Sequence, residues 1–421
     1  MYGTVEDTVE DGAGESRGGA VSEETAGGVG ARVATLRKLQ GLTQHQLATK
    51  AHMSESLVKK VEQGYAPASP SFIASCARAL GVEVTMLTGQ PYEDLTTDVG
   101  AERAGIPLLR RALDAYDDPD IDGPVWDADT LRTRLDEGEA LHRDSHYAEL
   151  AQQLPLLLHH LYANAANAVE GEAREEAHAL LDDGYSLTHE VARVFGYLDL
   201  AALATERLIA AAQHSGDPLR VAVSAFRRSH LQLYRGDYDL GMRTVDRAVD
   251  LAGEQRTPKG MAVMVQLHLR QAIFSSRAGS ADQADAHINE ARDLVNHGVP
   301  VSPYVDIIAS PANVDIHSVA VPVELSDGTT AVGRAESIQL DTRQFGFRER
   351  AGHYYIDLAR AWILHGRRDN ALQALQMARH ISPQRTRYHP TVRETLHAVA
   401  AADRRSTDSL SGFAQWAGIT L

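Results

Sequence analysis

The sequence has little cysteine, little tryptophan and few lysines for its length. Among 421 residues there is one cysteine, Cys76, which excludes an internal disulfide and a cysteine-built zinc site, and we expect it to be a small buried hydrophobe. A membrane-spanning helix needs about 18 uninterrupted apolar residues, and no stretch of the sequence approaches this length. The first residues lack the basic and apolar regions of a secretion signal. We therefore expect a folded, cytoplasmic protein without a membrane partner.

The usual signatures of catalysis are missing as well. The sequence has no phosphate-binding loop and no Gly-x-Ser-x-Gly elbow. His189 and Glu190 begin like a zinc-protease helix, but Arg193 stands where the second histidine is required. His142 and His146 lie one helical turn apart without an evident third ligand, and we interpret them as exposed side chains. The sequence therefore predicts no metal, no cofactor and no enzymatic activity.

Charge is distributed unevenly along the chain. The formal net charge is -16, and residues 1–29 form an acidic tail that we expect to be disordered. Residues 30–89, which we call the basic island, instead carry an excess of basic side chains. Four of the five lysines lie there, namely Lys38, Lys50, Lys59 and Lys60. An acidic chain with one small basic island indicates a local contact with a polyanion.

Helix-capping signals divide the basic island into five short helices. Thr43 and Gln46 have the spacing of a capping box at the start of the second helix. Ser54 is positioned to cap the third helix. Ser69 followed by Pro70 opens the fourth, since proline is preorganised for the first helical turn.

The stretch RKLQGLTQHQLATKAHMSESLVKKVEQG resembles the Cro/repressor-type helix-turn-helix, the XRE family. The Leu-Thr-Gln opening, the Leu-Ala pair, the Met-Ser before the third helix and the closing Glu-x-Gly carry this resemblance. It implies a five-helix domain over residues 30–89 whose third helix enters the major groove of double-stranded operator DNA. His52 occupies a turn position where the family often has glycine, and this position can require a positive φ.

The resemblance also implies which side chains contact DNA. Gln44 matches a glutamine that contacts the backbone and neighbouring groups, whereas Glu55, Ser56 and Lys60 match outward positions at the leading end of the recognition helix. Lysine can donate to guanine, glutamate can accept from cytosine, and serine can bind a base or a phosphate. Four further side chains are expected to neutralise phosphates: Arg37, Lys38, Lys50 and Lys59.

Two alternatives stay open for these residues. Arg37 and Glu62 match a family ion pair that bridges the first and third helices, which is a structural role rather than a DNA contact. Adjacent lysines such as Lys59 and Lys60 most often mark a solvated helix face. The helix-turn-helix pattern around them favours DNA contact.

The rest of the chain predicts an all-α repeat array. We assign residues 90–126 to a linker with a bridging helix, 127–402 to the array and 403–421 to a C-terminal tail. Within the array a glycine is followed by an alanine twelve positions later at Gly236 and Ala248, Gly279 and Ala291, and Gly366 and Ala378. This pattern resembles the tetratricopeptide repeat, an α-solenoid of paired antiparallel helices. We expect at least five pairs, one of them within 310–338 despite its poor glycine register, and a loop over the proline-rich stretch 298–311.

Such arrays have a concave surface that binds peptides or partner proteins. Polar side chains on the first helix of each pair are candidates for binding a ligand, because asparagine amides, for example, can pair with a peptide backbone. The alternative for each is a solvated or capping role. The candidates are Asn164, Asn167, Arg227, Arg228, Gln271, Asn313 and His317.

The combined arrangement resembles XRE regulators with tetratricopeptide-like C-terminal regions, common in actinobacteria. The segments LTGQPY, RALDAYD, SPANVDIH and HPTVRETL carry this resemblance, and peptide-pheromone receptors share only the architecture. It implies a DNA-binding transcriptional regulator, a homodimer, whose array dimerises or senses a peptide or small molecule. The alternative is an interaction adaptor whose helix-turn-helix docks a protein rather than DNA. Steep salt dependence would distinguish DNA binding from that alternative.

Overall fold

The fold consists of helices alone in the part of the chain that is described. The structure is a computed structural model and describes residues 28–92, 102–255, 257–298, 302, 304–338, 347–401 and 408–419. Every regular element within these ranges is a helix, which confirms the predicted all-α class. None of these helices combines the length and the apolar character that crossing a bilayer requires. The predicted acidic tail 1–29 lies outside the described residues except for its last two.

The N-terminal domain has the five predicted helices. They are α1 (Val29–Leu39), α2 (Gln44–Lys50), α3 (Glu55–Glu62), α4 (Pro70–Leu80) and α5 (Val84–Thr88). The capping box is present, because the Thr43 hydroxyl accepts from the Gln46 amide and the Gln46 side chain accepts from the Thr43 amide. The Ser54 and Ser69 hydroxyls cap α3 and α4 by accepting from the Leu57 and Phe72 amides. His52 has a φ of 55°, so the turn before α3 requires the predicted left-handed backbone.

Close helix packing fixes the position of α3 in this domain. A Cβ atom on Gly30 would lie 2.1 Å from the Val61 carbonyl oxygen, so only glycine lets α1 approach α3 so closely. Val58 of α3 and Leu47 of α2 fill the space between the helices. Cys76 is buried in the same core, as predicted, and burial raises the pKa of its thiol to about 12.

The linker and the array supply the other helices of the described chain. The linker contains α6 (Ile106–Asp114), whose Leu109 and Leu113 pack into the core of the first repeats. The array has six antiparallel pairs: α7 (Ala128–Arg143) with α8 (Tyr147–Asn167), α9 (Glu172–Val194) with α10 (Leu198–His214), α11 (Pro218–Arg235) with α12 (Tyr238–Glu254), α13 (Pro258–Arg277) with α14 (Ala281–Asn296), α15 (Pro311–Glu324) with α16 (Gly328–Ser337), and α17 (Arg348–Leu364) with α18 (Arg368–Ile381). Three helices close the chain: α19 (Pro383–Tyr388), α20 (Pro390–Ala401) and α21 (Asp408–Ala417).

One turn geometry joins the two helices of every pair. The turn residue has a positive φ in each case: Ser145, Gly196, Gly236, Gly279, Ser326 and Gly366. This conformation lets the next amide donate back to a carbonyl five residues earlier, as Asp237 does to Gln232 over 2.9 Å and Asp327 to Pro322 over 2.8 Å. Ser326 therefore takes the place of glycine in the pair predicted within 310–338, which is why that register looked poor.

Two segments near the C-terminal half differ in their packing. The described residues of the predicted loop 298–311 are not helical except for Pro311, which begins α15. Tyr304 and Ile307 are buried in the core formed around α11 and α13. The stretch 403–421, assigned to a tail, instead contains α21. Phe413 of α21 is buried against α18 and α20 because the array would otherwise leave an apolar face uncovered at its end.

Candidate functional site

The outer face of α3 carries the predicted base and phosphate contacts. Val58 and Val61 anchor its inner face in the core. The outer side chains are exposed, namely Glu55, Ser56, Lys59 and Lys60. Lys38 and Lys50 are also exposed, in the last turns of α1 and α2. The structure thus brings these six side chains to the surface, while their contact with DNA stays a prediction.

Arg37 is the exception among the predicted DNA contacts. Its guanidinium donates to both carboxylate oxygens of Glu62, over 2.6 and 2.8 Å, and to the Leu42 carbonyl over 2.7 Å. Only 8% of the residue is exposed, and the hydrogen bond to Glu62 raises the pKa of Arg37. All its nitrogens are occupied inside the domain, so the expectation that it neutralises a phosphate is wrong. The structure instead shows the alternative ion pair between α1 and α3.

Gln44 and His45, in the first turn of α2, both contact acidic side chains of α3. The Gln44 amide donates to Glu62 over 2.8 Å, so this glutamine extends the same ion pair to α2. His45 Nδ1 lies 3.1 Å from a carboxylate oxygen of Glu55, and both side chains are exposed. Sequence reasoning missed His45. Its position in the first turn of α2, next to Gln44, was the available signal.

The N-terminal domain is docked on the array. The Glu394 carboxylate of α20 accepts from the Val29 amide over 3.0 Å and from the Ala68 amide over 3.5 Å. On the other side, Arg78 donates to the carbonyl of the Gly236 turn over 2.6 Å. A Cβ atom on Gly236 would lie 2.7 Å from the Cβ of Ala74 in α4. None of these contacts uses the outer face of α3.

Replacing Glu394 with alanine is expected to loosen this docking. The carboxylate is buried, and its shorter hydrogen bond, to the Val29 amide, is of the charge-assisted kind that contributes about 1.5 kcal/mol or more. We expect amide hydrogen exchange at Val29 and Ala68 to accelerate about tenfold or more. The exposed acid Glu336 of α16 gives the control Glu336→Ala, which should leave both amides unchanged. Equal exchange in the two variants would contradict the role of Glu394.

A cavity of about 230 Å³ lies between the docked domain and the array. Helices α4 and α5 and Gln90 form one wall. The other wall comes from α19 and from the first helices of five successive pairs, α9, α11, α13, α15 and α17. The array therefore has the concave surface expected of stacked helix pairs, and the N-terminal domain covers part of it.

Arginines and carboxylates line this cavity, and ion pairs connect most of them with charged side chains behind its wall. We call the following side chains the polar network: the bases Arg193, Arg227, Arg270, Arg277, Arg350, Arg360 and Arg385, and the acids Glu190, Asp306, Glu324, Glu349 and Asp357. Burial alone would raise the pKa of Glu324, but Arg277 and Arg360 donate to it over 2.8 and 2.7 Å and lower that pKa to about 2. Glu324 is therefore ionised.

The histidines of the cavity wall are neutral near pH 7. Burial, together with the positive charge of Arg350, lowers the pKa of His317 to about 3. Burial and nearby arginines also hold the pKa values of His230, His353 and His389 well below the usual range. These side chains add hydrogen-bonding groups to the cavity without adding charge.

The predicted ligand-binding residues are scattered, and of the seven only His317 lines the cavity. Asn164 and Asn167 lie at the end of α8, which is the second helix of its pair, so the expectation for the first helix is wrong for them. Arg228 is half exposed, 3.9 Å from Glu206.

Three other predicted ligand residues form ion pairs or hydrogen bonds inside the array. Arg227 is fully buried between Glu190 and Asp306. The Gln271 amide donates to Asp246 over 2.7 Å. The Asn313 amide donates to Gln266 and to the Ile308 carbonyl over 3.1 and 2.8 Å. Their donors are used in packing, so these contacts replace the predicted ligand contacts.

One grouping near the cavity has the composition of a metal site. Ligand atoms of His189, Glu190 and His230 lie within 4.8 Å of one another. However, Glu190 already accepts hydrogen bonds from Arg193 and Arg227, so two guanidiniums would repel a cation at this site.

The interpretation of His142 as an exposed side chain is wrong. His142 is buried with its Nε2 3.8 Å from Glu190, because α7 packs against α9.

Comparison with known proteins identifies the N-terminal domain. Residues 29–88 match a protein-family model described as a helix-turn-helix domain. These residues form a helix-turn-helix domain. Over 62 residues the chain is 39% identical to the immunity repressor protein of Bacillus phage phi105. That match covers 15% of this chain and 43% of the repressor, so it spans less than half the length of that relative.

A longer part of this chain is similar to a solved structure, that of Bacillus thuringiensis PlcR in complex with the peptide PapR7 and DNA. The match covers 64% of this chain and 94% of that chain, at 15% sequence identity. The TM-score is 0.29, so the two chains do not superpose closely, and we transfer no geometry from it.

Proposed function

We propose that this chain is a transcriptional regulator that binds double-stranded operator DNA through the outer face of α3. The observation that carries the proposal is the combination of two adjacent exposed lysines, Lys59 and Lys60, with a helix-turn-helix domain that leaves this face free of the array. Glu55 and Ser56 lie on the same face, where a recognition helix reads base edges. A cytoplasmic location follows from this role.

The finer part of the proposal concerns assembly and signal. We propose a homodimer, because two recognition helices about 34 Å apart would occupy successive major grooves. The array would then receive the signal and change the fit of both domains on DNA. Sedimentation of the chain with and without operator DNA tests this step. A chain that saturates its operator as a monomer contradicts the homodimer.

DNA binding through α3 is expected to weaken steeply with salt. The log of the affinity should fall by about 0.9 per released phosphate counterion for each tenfold rise in salt. Fluorescence anisotropy measures this slope. The probe is DNA from upstream of the chain's own gene, titrated at KCl concentrations from about 50 to about 200 mM. The variant Lys59→Gln/Lys60→Gln should lower the affinity about tenfold or more and reduce the slope by about 2 per domain.

The fifth lysine provides the matched control. Lys259 is exposed on α13, outside the basic island, so Lys259→Gln should leave affinity and slope unchanged. A folded chain that binds no such DNA at low salt, or whose binding ignores both variants and salt, would contradict the proposal and favour the adaptor that docks a protein.

A further inference from the structure

Arg270 is a cation that faces the cavity without an acid to balance it. It reaches the cavity wall from α13. Within the described part of the chain, no carboxylate lies within 4 Å of its guanidinium and no hydrogen bond uses it. The contact that remains is the ring of Phe226, 4.6 Å from its Cζ atom. Burial and the neighbouring Arg350 and Arg193 lower the pKa of Arg270 to about 9, and the more distant Asp306, which already pairs with Arg227 and Arg350, offsets only part of this.

The polar network as a whole has the same imbalance. Seven guanidiniums face five carboxylates, and the acids already accept from the other arginines of the network. The cavity histidines are neutral and do not change this balance. The network therefore has two more basic than acidic side chains, in a place where an unpaired charge is costly.

Part of the cavity wall is apolar. Ile73 and Val84 of the helix-turn-helix domain and Ile273 and Ile316 of the array contribute hydrocarbon surface. A cavity of about 150 Å³ accommodates benzene. The present volume of about 230 Å³ therefore suits about ten non-hydrogen atoms, the size of a small organic molecule.

We propose that this cavity binds a small organic anion, whose carboxylate or phosphate pairs with Arg270 and whose apolar body contacts the helix-turn-helix domain. The acidic oxygens balance the excess charge, and bidentate pairing suits the guanidinium fork. Because α4 and α5 form part of the wall, the anion bridges the two domains and stabilises their docked arrangement. Its effect on DNA affinity rests on the proposed function, whereas binding itself does not.

The experiment uses three probes of nearly equal size on the full chain: phenylacetate, phenyl phosphate and the neutral 2-phenylethanol. At constant ionic strength and neutral pH, about 10 mM of at least one anion should raise the Tm by about 2 °C or more, and the alcohol by much less. A response to phenylacetate alone assigns a carboxylate, and one to phenyl phosphate alone assigns a phosphate ester. Equal responses to anions and alcohol, or no response, overturn the proposal, and this comparison needs no variant.

Variants then locate the site. Arg270→Met should abolish the response to the anion and, without any probe, raise the Tm above that of the wild type, since it removes an unpaired buried cation. The control is Arg243→Met, on the exposed face of α12, which should change neither value. A response to the anion that persists in Arg270→Met overturns the assignment.

The two proposals fail separately. Loss of DNA binding with the anion response intact overturns the proposed regulator alone. DNA binding without any anion response overturns the cavity site alone.

Discussion

Replacing Glu62 with alanine should unfold the helix-turn-helix domain locally and strongly weaken DNA binding. Glu62 accepts from the Arg37 guanidinium and from the Gln44 amide, and its loss leaves Arg37 buried without an acid. Breaking a buried pair in this way is expected to cost about 3 kcal/mol or more, a large share of the stability of a domain of this size. We expect amides of α1 and α3 to lose protection from hydrogen exchange, and the affinity for DNA to fall about a hundredfold.

Two further variants separate this cause from general charge effects. Glu55 is an acid at the opposite end of α3, with a side chain more than half exposed, so Glu55→Ala should change stability by about 0.5 kcal/mol or less. Arg37→Met/Glu62→Leu removes both charges and should recover most of the stability lost in Glu62→Ala. If Glu62→Ala were as stable as Glu55→Ala, the pair between α1 and α3 would not hold α3 in place.

The helix-turn-helix domain could be predicted well because its determinants are local. The capping box of Thr43 and Gln46 acts over three residues, and the positive φ of His52 follows from its place in one turn. The pair of Arg37 with Glu62 spans more of the chain and came from the family resemblance. The same resemblance could not say that this pair leaves Arg37 no donor for a phosphate.

The repeat array was predicted less completely, for a reason that the turns explain. The three detected units have glycine at the turn, whereas Ser145 and Ser326 adopt the same conformation in two others. Glycine is preferred there but not required, since a left-handed residue needs only that the surroundings hold it. A pattern based on glycine therefore finds the repeat but not every copy.

The cavity could not be predicted, because its partners are remote in sequence. Arg277 pairs with Glu324 and Arg360, and Arg227 pairs with Glu190 and Asp306, across helices whose order around the concave face depends on the superhelix. Polar residues such as Asn313 were predicted to contact a ligand because the sequence alone does not show which side chains are buried. Conversely, Arg270 looked ordinary, since an unpaired charge is recognised only after every neighbour is placed.

Acidification from pH 7.5 to 5.5, a range that brackets the ordinary histidine pKa of about 6.5, is expected to destabilise the array by about 2 to 3 kcal/mol. His189, His230, His317, His353 and His389 have pKa values lowered by burial, to about 4 for His189 and about 3 for His317. The unfolded chain therefore binds more protons than the folded chain below about pH 6.5, so stability falls as the pH falls. Each histidine that stays neutral contributes about 1 kcal/mol to this loss.

Two acids act in the opposite direction and set the size of the effect. Burial raises the pKa of Asp182 to about 7 and that of Asp357 to about 6, so the folded state takes up protons there as the pH falls, which offsets roughly 2 to 3 kcal/mol. The loss from the five histidines exceeds this offset and leaves a net loss of about 2 to 3 kcal/mol, measurable as a lower urea midpoint at pH 5.5 than at pH 7.5.

The variant His317→Asn should lose less stability over this range, by about 1 kcal/mol, whereas His45→Asn, at an exposed site, should behave like the wild type. An unchanged midpoint at the two pH values would mean that the cavity histidines are charged in the folded chain, and the excess of positive charge around Arg270 would then be larger still.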